Sequence, residues 1–248
     1  MSESLPDLST TPRLYVAGPL GAGEELRLDG GQAHYLGQVM RRQVGDFVRV
    51  FDGRAGEWAA RVISVGKKAV VLGVEVQTAP QEVVPDVWLC FAPLKRGRVD
   101  WLVEKACELG AARLLPVVTR RTIVDRLNGE RLRAHLVEAA EQCGRTFVPE
   151  LAEMVTLPAL LAGWPEGRTL YFADEGLAGC EAAPTLAQMA PSGPAAMLIG
   201  PEGGFMESES EAIRNCNFVR SVSLGPRILR ADTAALAALA VWMGHIRS

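Results

Sequence analysis

The chain has 248 residues, of which 48% are hydrophobic, enough to bury one large core or two smaller ones. A formal net charge of -3 and an isoelectric point near 5.7 exclude a protein that coats nucleic acid through bulk charge, while leaving room for local phosphate-binding patches. No stretch approaches the roughly 18 consecutive apolar residues of a membrane span, and Met1 to Pro12 is polar, so a cytoplasmic protein without membrane contact is expected. Cys90, Cys107, Cys143, Cys180 and Cys216 form no CxxC pair, and His34, His135 and His245 are as scattered. This spacing argues against a disulfide framework and against a metal site.

After a polar start that reads as disordered over residues 1–12, short strands are predicted at Arg13–Val16, Phe47–Phe51, Glu57–Val65 and Ala69–Val76, with one helix near Gly31–Met40. Their apolar alternation and β-branched residues are those of a small β-barrel. The turns at 52–56 and 66–68 fit hairpin connections. Residues 77–85 carry two prolines and no period, so a domain boundary is placed there, giving domains 1–80 and 81–248.

Beyond the linker, strands and helices alternate. Strands are predicted at Asp86–Ala92, Leu114–Val118, Thr169–Ala173, Ala195–Ile199 and Val219–Leu224. Helices are predicted at Val99–Leu109, Glu130–Cys143, Glu207–Asn215 and Thr233–His245. That order implies an α/β domain with a parallel sheet covered on both faces. The terminal helix, running through Ala234-Ala-Leu-Ala-Ala-Leu-Ala-Val-Trp-Met243, has no polar face. Such a helix must be covered all round, which points to a homodimer.

Two loops follow apolar strands and precede helices, where open α/β sheets bind ligands. The first is Ile199-Gly200-Pro201-Glu202-Gly203-Gly204-Phe205, and the second runs from Leu224-Gly225-Pro226 through Arg227, Ile228, Leu229, Arg230, Ala231 and Asp232 to Thr233. The spacing of the glycines is neither that of a dinucleotide fingerprint nor that of a phosphate loop. Singly, each loop is as readily a tight turn as a site. Together they outline a pocket with an apolar wall for a planar base and one cation, Arg230. Asp232 reads either as the N-cap of the terminal helix or as a catalytic group.

Both loops resemble the cofactor motifs of the RsmE family, bacterial 16S rRNA uridine-N3 methyltransferases of the SPOUT superfamily. Glu138-Ala-Ala-Glu-Gln-Cys-Gly-Arg145, Glu104-Lys-Ala-Cys-Glu-Leu-Gly110, His34-Tyr-Leu-Gly-Gln-Val-Met-Arg41 and Phe51-Asp-Gly53 resemble the same family in the same order. The resemblance implies an N-terminal PUA-like RNA-binding barrel and a trefoil-knotted methyltransferase domain acting as a homodimer. It implies S-adenosylmethionine as cofactor and 16S rRNA, in the assembled small subunit, as partner. Cofactor contacts are then expected from Phe172, Ile199, Gly200, Pro201, Glu202, Gly203, Gly204, Leu224, Gly225, Ile228, Leu229, Arg230, Ala231 and Thr233. The chain departs from the family in having Ala231-Asp232 where Thr-Glu is usual, and Met206 where a Ser or Thr would cap a helix.

For catalysis, Arg230 is expected to stabilise charge on uracil oxygens, and Asp232 or Glu202, or water, to take the N3 proton. Arg13, His34, Arg41, Arg42, Lys67, Lys68, Lys95, Arg96, Arg98 and Arg145 are the expected RNA contacts. A ribose 2′-O methyltransferase of the same superfamily and a non-catalytic RNA-binding protein are the competing readings.

Overall fold

The computed structural model describes residue 8 and residues 10–180, 182–189 and 193–246. Most of the expected disordered start lies outside the described residues. Internal contacts divide the chain into two units, residues 1–83 with 140–147 and residues 84–139 with 148–248.

In the first unit, β1 (Arg13–Tyr15), β2 (Glu25–Asp29), α1 (Gly30–His34), β3 (Phe47–Phe51), β4 (Glu57–Val65) and β5 (Ala69–Ala79) follow one another. The strands form a five-stranded sheet in the order β1-β3-β4-β5-β2, parallel only between β1 and β3. Alternate residues, among them Leu26, Leu28, Val48, Val50, Val70 and Leu72, point into one core. β2, Glu-Leu-Arg-Leu-Asp, was not among the predicted strands, although its burial alternates strictly. The helix predicted over residues 31–40 is α1 followed by a π-helical turn, Tyr35–Val39, after which Arg41 takes φ +50°. β5 runs three residues further than predicted. Gly56, at φ +78°, passes so close to the end of β5 that a Cβ there would stand 2.3 Å from the Ala79 carbonyl oxygen.

The second unit contains β6 (Val87–Phe91), α2 (Arg96–Glu108), β7 (Arg113–Val118), α3 (Gly129–Cys143), β8 (Glu150–Leu151), β9 (Val155–Thr156), α4 (Leu157–Ala162), β10 (Thr169–Ala173), β11 (Ala195–Ile199), α5 (Glu207–Arg214), β12 (Val219–Val222) and α6 (Ala231–Met243). The last four residues of α3 group with the first unit. All pairings in the sheet are parallel, in the order β12-β10-β11-β6-β7-β8, with β9 beside β7. β11, Ala-Ala-Met-Leu-Ile, is buried at every position, as a central strand covered on both faces must be. α4, capped by the Thr156 hydroxyl accepting from Ala159 N–H, was not predicted. α2 begins three residues earlier than its apolar periodicity indicated, because Arg96, Gly97 and Arg98 form a polar first turn.

α6 buries Ala234, Ala235, Ala238, Leu239 and Trp242. Leu236, Ala237 and Val241 are only half-buried and Ala240 is exposed, so within one chain an apolar face of this helix is left uncovered. Among the described residues no helix is long and apolar enough to cross a membrane, and no group of His, Cys, Asp and Glu is arranged to hold a metal ion.

Candidate active site

β12, β10 and β11 are neighbours running the same way, so the loops leaving their C-terminal ends meet at one edge of the sheet. There they enclose a cavity of about 230 Å³. The loop after β11 contributes Ile199, Gly200, Pro201, Glu202, Gly204 and Phe205; the loop after β12 contributes Ser223, Leu224, Gly225 and residues 227–230; and α6 closes one side with Ala231 and Ala234. A third loop, after β10, adds Ala173, Asp174, Glu175 and Ala178. Glycine-based reasoning missed this one, because Asp174-Glu175-Gly176 carries no glycine-rich signature; the signal available was its place directly after an apolar strand.

The walls are largely aliphatic, and the polar groups are few and placed. The backbone amides of Arg227, Ile228, Leu229 and Arg230 have no hydrogen-bond partner among the described residues, so they are free to read the edge of a ligand. Ile228 is 75% exposed, an apolar side chain held in solvent beside the cavity. Arg230 is exposed and without an acidic partner among the described residues. It is also the residue preceding the first turn of α6.

Asp174, 4% exposed, is fixed by Arg214, whose Nε and Nη2 donate at 2.8 and 3.0 Å, and by Gly176 N–H at 3.0 Å. Arg214 also donates to Glu207 at 3.0 Å. Hydrogen bonding to Asp174, foremost, raises the Arg214 pKa further above its ordinary value. The pair ties α5 to the third loop. Glu175 lies against Gly204, at φ +67°, so closely that a Cβ there would meet its Oε1 at 1.8 Å.

Beside the cavity Arg98 joins the loop after β11 to the first turn of α6. Its Nη1 donates to Glu202 Oε1 at 3.0 Å, and its Nε lies 3.9 Å from Asp232 Oδ2. Both expected acid–base carboxylates therefore flank one guanidinium. Asp232 is not the N-cap of the terminal helix: that position is Arg230, and Asp232 lies inside the first turn, accepting from Thr233 N–H at 2.9 Å. At α5 the cap position is Met206, and Glu209 compensates, its carboxylate accepting from Met206 N–H at 3.0 Å and Arg120 N–H at 2.9 Å.

Of the residues expected at the cofactor, Phe172, Gly203 and Thr233 do not line the cavity. Phe172 is 1% exposed and packs edge-on to the Phe205 ring at 5.2 Å, behind the loop. Gly203 turns outward, its carbonyl accepting from Arg121 Nη1 at 2.6 Å. Two of the expected RNA contacts are corrected. Arg13 is buried; it pairs with Glu57, donates to the Ala140 carbonyl at 2.6 Å and to that of Arg145, and lies 3.9 Å from the Phe51 ring centre. Arg145 is buried against Glu82 at 2.8 Å. Both guanidinium groups hold the first unit together rather than face phosphate. Of the rest, His34, Arg41, Lys67 and Lys68 in the first unit and Lys95 and Arg96 in the second are exposed, while Arg42 and Arg98 are half-buried, Arg98 being held by Glu202.

A parallel sheet whose adjacent strand ends surround a Gly-lined cavity is the architecture of an RNA methyltransferase here: the family model described as RNA methyltransferase domain matches residues 81–243, and the RNA methyltransferase PUA domain model matches residues 28–75. The chain belongs to the RsmE family within that class. It is 32% identical over 232 residues to the ribosomal RNA small subunit methyltransferase E of Synechocystis, covering 92% of this chain and 76% of the relative. The enzyme of that name from Rickettsia conorii is 28% identical, with 92% of this chain and 93% of the relative covered. A crystal structure of ribosomal RNA small subunit methyltransferase E from Neisseria gonorrhoeae bound to S-adenosyl methionine superposes with a TM-score of 0.81 at 28% identity, over 93% of this chain and 95% of that one.

Proposed function

We propose that this chain transfers a methyl group from S-adenosylmethionine to N3 of a uridine in 16S rRNA. The observation that carries this reading is the cavity at the ends of β10, β11 and β12, with aliphatic walls, loop amides that are unpaired among the described residues, and two cations, Arg227 and Arg230, that have no acidic partner among those residues. These features suit the cofactor. Ile199, Val222, Leu224 and Leu229 offer flat apolar surface for its adenine, and the amides from Arg227 to Arg230 offer donors for the base edge. The exposed Glu175 offers an acceptor for hydroxyl or ammonium groups, and Asp174, held by Arg214, fixes the loop that carries it. Gly225, at φ +120°, gives the second loop a turn that an L-residue rarely adopts, while Gly200 and Gly204 leave room for the Phe205 ring and the Glu175 carboxylate that line the cavity.

S-adenosylmethionine, when bound, supplies an electrophilic methyl group on sulfur. The chain's own task is the acceptor. Uridine N3 carries a proton that must leave as the N–CH3 bond forms, and the charge developing on the uracil oxygens needs a cation. Arg230 takes that role. Glu202 or Asp232 receives the proton, directly or through water, and Arg98 keeps both carboxylates in place. Holding acceptor and donor together supplies much of the remaining acceleration.

In this reading residues 1–80 form an RNA-binding domain and residues 81–248 the methyltransferase domain, whose second loop belongs to a trefoil knot. The substrate is the rRNA of the small subunit, in the cytoplasm. The apolar face of α6 that one chain leaves uncovered, Leu236, Ala237, Ala240 and Val241, is covered by a second copy. The decisive experiment compares 16S rRNA from a deletion strain and its parent by mass spectrometry and reverse transcription. Loss of one methyl-uridine together with loss of one reverse-transcription stop is expected, because an N3 methyl blocks base pairing. Loss of a methyl group with no change in stops would instead identify a ribose methyltransferase.

A further inference from the structure

The first turn of α2 and the segment leading from β7 into α3 form the two banks of a groove of about 810 Å³. Lys95 and Arg96 line one bank and Arg126 the other. All three are exposed, and none has an acidic partner among the described residues. Arg131, which also lines the groove, is neutralised by Asp100 at 2.6 Å, and Glu130 is the one acidic residue among its lining. Like charges gathered on facing banks repel one another, so the arrangement costs stability unless an anion lies between them. The floor is apolar, with Leu94, Val99 and Leu127.

Both banks are tethered to the loop that follows β11. One turn after Lys95, Arg98 holds Glu202 at 3.0 Å; on the other bank, ahead of Arg126, Arg121 donates to the Gly203 carbonyl at 2.6 Å. The groove therefore opens beside the cavity. We infer that it seats the phosphodiester backbone of the RNA strand flanking the nucleotide presented to the cavity. A single small anion would need one cation, whereas cations spread along both banks match a chain of phosphates. Arg126 is the residue that this adds to the RNA contacts, and the inference rests on the RNA-methylating reading of the cavity.

The test measures binding of in vitro transcribed 16S rRNA by the full chain over a range of salt concentrations, for wild type, Arg126→Ala, Lys95→Ala and, as a remote loss of one cation, Arg220→Ala. Affinity for S-adenosylmethionine, by calorimetry, reports whether each variant is folded around its cavity. Arg126→Ala and Lys95→Ala are expected to bind RNA roughly three- to tenfold more weakly near physiological salt, and to flatten the slope of log K against log salt by about 0.7 each. Their cofactor affinity should stay that of the wild type, and Arg220→Ala should change neither quantity. RNA affinity and salt slope unchanged in both groove variants would overturn the inference. Wild-type protein that binds the RNA through these residues but does not methylate it would overturn the proposed activity and leave the groove standing.

Discussion

Arg230 and Arg13 have the same side chain in opposite settings, one exposed at a cavity and the other buried in a core. Arg230→Ala should keep S-adenosylmethionine affinity near wild type and lower single-turnover methylation by roughly a hundredfold or more, the size of effect seen when one group that stabilises developing charge is removed. A rate within a few-fold of wild type would remove Arg230 from the chemistry. Cys90 gives a second residue-level outcome, since burial pushes its thiol up to about 12. The stability gained by keeping that thiol neutral is full below about 9, its ordinary value, and is lost as pH rises from there through the folded value. Denaturant midpoints should therefore fall across that window, less so in Cys90→Ala after allowing for the cavity it leaves. Iodoacetamide should label exposed Cys143 and Cys180 well before Cys90. Arg230 was marked in the sequence by its loop, but the burial of Arg13 and Arg145 was not legible there, because charge along a chain says nothing about which guanidinium will find carbonyls and a carboxylate to be buried with.

Elements with one dominant period were legible in advance. β3, β4, β10 and β11 have the predicted limits, since uniform apolar runs or strict alternation leave one register that buries them. β2 was hidden because only Leu26 and Leu28 mark its inner face between charged neighbours. α4, begun with Pro158 in its first turn, was too short to display a period. The candidate site was two-thirds legible in the same sense: the loops after β11 and β12 announce themselves by glycine, while the loop after β10 depends on which strands become neighbours. Two substitutions test local readings. Gly56→Ala places a methyl group against the backbone of β5 and forces an L-residue to positive φ; neither can relax cheaply, so a loss of about 3 kcal/mol or more is expected in thermal or denaturant unfolding. Met206→Ser restores a side-chain acceptor at the N-cap of α5, and a gain of about 1 kcal/mol is expected.

At the scale of the whole molecule, α6 makes the clearest demand. Its uncovered apolar face predicts that light scattering coupled to size exclusion will report a dimer at micromolar concentration, and that Ala240→Glu, on the exposed part of that face, will shift the protein towards monomer. A wild-type monomer under those conditions would rule out the second copy as the cover. The other large-scale feature is the buried Arg13, which ties the first strand to carbonyls at Ala140 and Arg145. Residues 140–147 belong to the first unit, yet they are separated from it by the whole of β6, α2 and β7. During synthesis the Arg13 guanidinium, already paired with Glu57, must therefore wait for its two carbonyl acceptors until the end of α3 has emerged. The order of events is thus not domain after domain: the half made first is completed by a clasp made late, and a gene fragment cut at residue 80 would encode a sheet that has lost its fastening.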